Sequence, residues 1–599
     1  MDRITIFERD ISNIPAEDIG TNIVYVPGYA VMGPVNTPTL CRNLSEFQNI
    51  FGITPFCFEN EQKFEDIGNW KTQGNNKLSG VFYLKDSQET AYIYACELLN
   101  KGLPVLFERV FDETKINDFT LYYDLYDNDS KKLTIKAKYP GRYAESIEFT
   151  LTKNSDLATD YHYTLHLTQN KEFKNAALKE LTYLETLIKK DLVFSVSQAD
   201  DDYFANLSDN GIVVFENVGD IDAIELSPIT TKTNLLYPIS LYDYEFELKD
   251  LYAKFNPTKT VSGVVKSLWD ENNQTYPQDL LFTRLTDRGE YDIKFITSGG
   301  YPIFDCYGDS AFTLPNNIAK IMLWSAAKRG DAITLIDYIN SIGKANTNVY
   351  SDIEGATIGT SLQFSVNQLP QEENNGDLRV QLSNNREENI LKYGTMLTPW
   401  STYNSVVYSK SYIFAGSFGY LKALATSVQT NANWYPVAGV TRGVVPNLKQ
   451  LNTNITNAIA ESLQTIKGIS INPITLIKPY GYTIWGNRTL HYNDKEDLVA
   501  SSLLHIRNLV CDVKKAVYIA AKKFMFEPIS ETLWLNFKSE IEPLLDKMKT
   551  GNGLTDYQVL KKTTKEKATI CAVIRLWAVD AVEKFDVTIE LSDSYVNVE

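Results

Sequence analysis

The chain has 599 residues, 44% of them hydrophobic and 22% charged, a balance that excludes wholesale disorder or a continuous coiled coil and predicts several packed domains. Its formal net charge of -17 repels phosphate backbones, which argues against nucleic acid as a direct partner. The six cysteines (Cys41, Cys57, Cys96, Cys306, Cys511, Cys571) lie far apart with no CxxC pair, and no segment reaches the roughly 18 apolar residues of a membrane-spanning helix, so neither a disulfide framework nor a direct membrane contact is expected.

Residues 1–20 read as an N-terminal arm in which Ile4 and Ile6 alternate with polar residues before Pro15 and Gly20. Charges run through this arm, unlike a signal peptide, so export is not expected, and the scattered cysteines fit reduced thiols of a chain folded in the cytoplasm. Residues 21–110 form the first part of an α/β domain. It holds the β-forming stretch Asn22 to Gly33, a helix Leu44 to Phe51 closed by Gly52, a helix Gln88 to Asn100 ending at Gly102, and a strand Pro104 to Val110.

Residues 111–255 change texture to alternating, tyrosine-rich segments (LTIKAKY, SIEFTLT, YHYTLHLT), predicting an inserted antiparallel β-rich domain with one wet face. Residues 256–400 return to α/β alternation, with a strand Tyr291 to Thr297, a helix Pro315 to Arg329 and a strand Asp331 to Asp337. Within them Ser341 to Thr398 lacks periodicity and reads as a long loop or small insertion. Residues 401–580 form a final α/β core with the strongest helix of the chain, about Leu498 to Met525, and residues 581–599 a C-terminal arm. The fold class is therefore α/β (α+β), multidomain: a mixed-sheet core, an inserted β-rich domain and extended arms.

On the long helix Ile506, Leu509, Val510, Val513, Val517, Ala520 and Phe524 share one stripe, a core face, while Arg507, Lys514, Lys515 and Lys522 project from the other side as a basic face. In the C-terminal arm Phe585, Val587, Ile589 and Leu591 point one way and Asp586, Thr588 and Glu590 the other, a half-buried strand.

Motifs of catalysis are scarce. His162 and His166 share one face of an alternating strand with no carboxylate cluster in register, so they read as surface histidines. The acidic run Asp200, Asp201, Asp202 lacks the ligand pattern of an EF-hand and reads as a solvated loop. His491 and His505 have no nucleophile motif beside them. Gly28 to Gly33 has the glycine spacing of a phosphate loop but no Lys-Ser/Thr after it and reads as a strand bend. No catalytic, cofactor-binding or metal-ligating residue is assigned, and the chain is not expected to be an enzyme.

Tyr480 to Leu490 reads YGYTIWGNRTL, preceded by GISINPITLI, and this resembles the signature of contractile tail sheath proteins of myovirus-type bacteriophages, with Trp485, Gly486, Arg488 and Thr489 as its motif residues. Similar segments follow the family's order: Gly28 to Phe51, Ala137 to Ile147 (AKYPGRYAESI), Trp434 to Val444 (WYPVAGVTRGV) and Phe524 to Trp534 (FMFEPISETLW). Asn487 departs from the family's usual alanine, and Tyr143-Ala144-Glu145 from its Trp-Gly-Asn.

The resemblance implies a structural protein of the virion tail, assembled in the host bacterial cytoplasm as stacked six-subunit rings around a tail tube, with no cofactor. Its partners would be its own copies, the tube protein, and baseplate and tail terminator proteins; contraction would drive the tube through the host envelope for genome ejection. By the same resemblance, Phe585 to Leu591 and, more weakly, Ile4 and Ile6 would add strands to neighbouring copies, with Ile570 to Val579 as a receptor element, and the basic helix face would meet the tube. A sheath from a phage-like injection device or secretion system is the near alternative, and a glycan-binding surface protein with stacked tyrosines a remoter one.

Overall fold

In a computed structural model the described residues are 22–53, 63–66, 82–85, 90–111, 116–127, 130–155, 157, 160–170, 187–207, 209–217, 222–235, 258–261, 264–267, 282–300, 315–337, 390–408, 410–452, 455–464, 470–491, 499–562 and 570–581. Both arms, with Ile4, Ile6 and Phe585 to Leu591, lie outside them.

The centre is one mixed sheet of strands β1 (Val24–Gly28), β2 (Thr39–Cys41), β3 (Val105–Arg109), β4 (Phe295–Ile296), β5 (Ile333–Asp337), β6 (Gly394–Thr398), β7 (Asn472–Ile477) and β8 (Gly481–Ile484), in the order β2-β3-β1-β4-β5-β6-β7-β8. The run from β3 to β7 is parallel, and β2 and β8 flank it antiparallel. β1, β3, β5 and β6 are buried at every position, because helices cover the sheet. Among those helices Thr90–Asn100 is buried throughout except at its last residue, and Gly416–Ser427 is nearly so.

Leu44–Phe51 starts on Asn43, whose side chain accepts from the Glu46 N–H at 2.8 Å, and stops at Gly52, held at φ 75°. Two expectations change. The strand read at Tyr291 to Thr297 contracts to Phe295–Ile296, since Lys294 turns into the interior to meet Asp512 and the Asn508 carbonyl. The aperiodic stretch Ser341 to Thr398 ends not in a loop but in the central strand β6, whose five residues are buried on both faces and so show no alternation.

Two smaller sheets lie between β3 and β4. One runs Leu187–Ser195, His162–Asn170, Ile147–Lys153, Ile229–Asn234; the other Val213–Asn217, Ser130–Ala137, Tyr122–Asp127. Alternate residues of both, including Leu133, Ile135, Phe149, Leu165 and Phe194, fill one shared core. This β-rich unit meets the main sheet at Arg109, the buried last residue of β3. Its guanidinium donates to the carbonyls of Ala30 at 2.8 Å, Gly33 at 2.9 Å and Pro140 at 2.7 Å. The glycines at 28–33 thus turn carbonyls inward around a cation, the reverse of a phosphate cradle. Gly141 sits at φ 131°, and a Cβ there would come 2.9 Å from the same guanidinium, which is why the PGRY turn carries glycine.

Candidate assembly site

The last described part of the chain is a lobe of two helices and a hairpin. The helix Leu504–Lys523 is followed by the turn Phe524 to Ser530, the helix Glu531–Thr550, and the antiparallel strands Leu554–Lys562 and Cys571–Ala578. Leu509, Val513 and Ala520 pack with Trp534, Ile541, Leu545, Met548, Leu554 and Val559 into a core of their own. Ser530 caps the second helix, accepting from the Leu533 N–H at 3.0 Å.

The long helix is covered on its other side as well. Leu504 and Cys511 join the main core, and Lys294 of the sheet reaches Asp512. The basic face expected to be open is therefore mostly closed against the chain's own body. Lys515, 6% exposed, pairs with Asp292 at 2.5 Å; Lys514 donates to the Tyr393 hydroxyl at 2.8 Å; Arg507, 7% exposed, lies over the Tyr393 ring at 4.9 Å. Only Lys522 of the four is exposed. The wheel could not show this, because the second contact is made by long side chains whose stems bury while their charged ends find Tyr393 and Asp292 far away in sequence.

Besides these contacts of the helix, two joints tie the lobe to the sheet, and both are made by segments that carry the family resemblance. In the first, Asn472 at the start of β7 donates to the Thr395 hydroxyl at 2.7 Å and to the Arg488 carbonyl at 2.8 Å, while its oxygen accepts from the Arg488 N–H at 2.9 Å. Gly486 passes so close that a Cβ would lie 2.1 Å from Gln464 Nε2 and 2.5 Å from Asn472 Oδ1. Thr489 donates to the Ser501 carbonyl at 2.8 Å, and Arg488 bridges Leu503, tying the motif to the start of the long helix. The Trp485 side chain stands outward, 38% exposed.

Asn487 completes this joint. Its amide donates to His505 Nδ1 at 2.7 Å, and His505 Nε2 in turn donates to the Val579 carbonyl at 3.2 Å, where the hairpin ends. Burial holds this imidazole below its ordinary pKa, so the neutral ring with its proton on Nε2 links motif, helix and hairpin. In the second joint Trp434 donates to the Gly551 carbonyl at 2.9 Å, and Cβ atoms on Gly551 and Gly553 would come within 2.6 and 2.7 Å of its ring. The turn between helix and hairpin is thus built around the indole.

Among the described residues the hairpin pairs with no other strand, so its outer edges carry backbone donors and acceptors without a ladder partner. Ile574, Leu576 and Ala578 face the lobe core, whereas Val573 and Trp577, 36% and 44% exposed, face outward. The hairpin covers a groove of about 620 Å³ whose walls include Leu503, Ile506, Leu576 and Trp577. At the far end of the lobe the turn between the helices leaves Met525, Phe526 and Ile529 exposed.

Elsewhere the structure corrects one reading of the sequence. His162 is not isolated on its strand: the acidic run curls back so that Asp202 and Asp200 stand 3.2 and 3.8 Å from its Nε2. Strand alternation conceals this, because the carboxylates arrive from a turn after the neighbouring strand. His166 pairs with Asp191 at 2.7 Å on that strand. Cys41, Cys96 and Cys511 are buried thiols, burial pushing the first two up to about 12. Cys57 and Cys306 lie outside the described residues.

No protein-family model matches the chain. The chain is similar to the tail sheath protein of Vibrio phage KVP40, 27% identical over 142 residues, which are 24% of this chain and 20% of that protein. The match thus spans about a fifth of the length of the curated relative. Among solved structures, the sheath tail protein of Listeria innocua is 9% identical, with 94% of this chain and 96% of that chain covered at a TM-score of 0.49. The sheath tail protein of Desulfitobacterium hafniense is 10% identical, with 94% and 97% covered at a TM-score of 0.43.

Proposed function

We propose that this chain is the polymerising subunit of a contractile sheath and that it works without chemistry. Copies would stack as six-membered rings around a tail tube in a virion, meeting baseplate and terminator proteins at the ends. The stretch similar to a phage tail sheath protein and the five ordered motifs support the family; the observation that carries the mechanism is the hairpin whose edges pair with no further strand among the described residues, on a lobe tied to the sheet by the Asn472 and Trp434 joints. A strand added by a neighbour's arm would complete its ladder. The alternating residues Phe585, Val587, Ile589 and Leu591 suit one edge, and Ile4 and Ile6 the other.

On this reading the subunits rotate between two packings while the added strands hold, and the work comes from the free-energy difference between those packings. Arg507 and Lys515 are buried within the chain and Lys514 is half-buried against Tyr393, so Lys522, just before the exposed Met525 and Phe526, would be the leading basic candidate for a grip on the tube. A sheath of an injection device would use the same surfaces. Negative-stain electron microscopy of the purified full chain tests the proposal: long tubes of uniform diameter are expected, and a population of monomers at every concentration and salt tried would contradict it.

A further inference from the structure

The β-rich unit carries a cluster that strand donation does not use. His162 opens its strand opposite Ser195, the last residue of the partner strand. The chain then turns sharply: the Asp200 N–H donates to the Ser197 carbonyl at 3.2 Å, the Tyr203 N–H to the Asp200 carbonyl at 3.2 Å, and the Ser195 N–H to the Asp202 carbonyl at 2.9 Å. This return places Asp200 and Asp202 over the imidazole, and a ligand atom from each of the three residues lies within 4.8 Å of the others.

The imidazole is oriented for a task. Its Nδ1 stands 2.6 Å from Asp160 Oδ1, and the same oxygen accepts the His162 N–H at 3.1 Å. A carboxylate at Nδ1 fixes the proton there and turns the Nε2 lone pair outward. That lone pair faces two carboxylates, and Asp200 is itself held by the Ser195 hydroxyl at 2.6 Å. With Nε2 unprotonated, three donor atoms converge on one point, and either a second proton on the ring, paired with Asp202, or a metal cation between them relieves their repulsion. Ligands about 2.0–2.2 Å from one metal ion lie about 3.0–3.5 Å apart, close to the 3.2 and 3.8 Å found here.

We propose that His162, Asp200 and Asp202 form a three-ligand site for a divalent transition cation, zinc foremost, with Asp160 as the carboxylate that orients the imidazole. A ring nitrogen among the ligands favours zinc, cobalt or nickel over calcium, magnesium and manganese, which prefer oxygen. The half-exposed position leaves the remaining coordination places to water. The cation would staple the 196–203 turn to the head of the neighbouring strand, a role independent of whether the chain polymerises.

The full chain, stripped with chelator and dialysed, is titrated with zinc chloride by calorimetry and with cobalt(II) by visible absorption. One saturable zinc site per chain is expected, with a cobalt d–d band. His162→Ala should abolish both. Asp160→Asn, which keeps all three ligands, should weaken zinc binding about 10–100-fold. His166→Ala, which removes the imidazole paired with Asp191, should leave both signals unchanged. Circular dichroism establishes that each variant is folded. Absence of a zinc site in the native chain, or a zinc isotherm that His162→Ala leaves intact, would overturn the proposal.

Discussion

Gly486 and Asn472 hold the first joint by opposite means, one by lacking a side chain and the other by using all of its own. Gly486→Ala must push aside Gln464 and Asn472 together, and overpacking of this kind costs about 1–3 kcal/mol. Asn472→Ala strands the Arg488 N–H in a buried place and should cost about as much. Thermal unfolding of both variants checks this, and a melting point equal to the native one in either would show that the joint carries no load. His505 gives the joint a pH dependence. A base whose folded pKa lies below its free value of about 6.5 binds fewer protons folded than unfolded, so stability is flat above about pH 7 and falls as pH drops from about 6.5 through the folded value. The loss of melting temperature between pH 7 and 5.5 should therefore be smaller in His505→Asn than in the native chain.

At the scale of elements, the long helix shows what the sequence could and could not reveal. Its apolar stripe was legible, since Leu509, Val513 and Ala520 recur at helical spacing and do meet the lobe core. Its second interface was not, because Lys515, Lys514 and Arg507 look solvent-facing until Asp292 and Tyr393 are brought to them. Lys515→Glu, placing like charges beside the half-exposed Asp292, should destabilise the lobe by about 1–3 kcal/mol, while Lys522→Glu should change stability by less than about 0.5 kcal/mol. Chemical denaturation of the pair distinguishes an interior face from a surface one. The same reasoning explains the other differences. Helices bounded by Asn43 and Gly52, or by Pro315, carry their limits in single residues, whereas β6 is buried on both faces and leaves no period to read. The motif residues were legible as a pattern, but their work as a clasp rests on Gln464, Asn472 and His505, which alternation and propensity do not single out.

For the whole molecule, the described residues divide into three cores: Arg109 ties the β-rich unit to the main sheet, and the C-terminal lobe is tied to it by the Asn472 and Trp434 joints and by the long helix, whose Asp512 and Lys515 pair with Lys294 and Asp292. Removing Arg109 as methionine leaves the carbonyls of Ala30, Gly33 and Pro140 without their donor, at about 3 kcal/mol or more. Hydrogen exchange should then rise near residues 28–33 and 138–147 while the lobe stays protected. On the proposed function, the hairpin, which pairs with no further strand among the described residues, would supply the contact that persists while the subunits change their packing. The central claim is that arms donated to this hairpin make the polymer. Deleting residues after Lys584 and comparing the product with the full chain by electron microscopy and circular dichroism tests it most directly. The account predicts a folded protein of unchanged spectrum that forms no tubes; tubes of normal diameter and length from the truncated chain would contradict it.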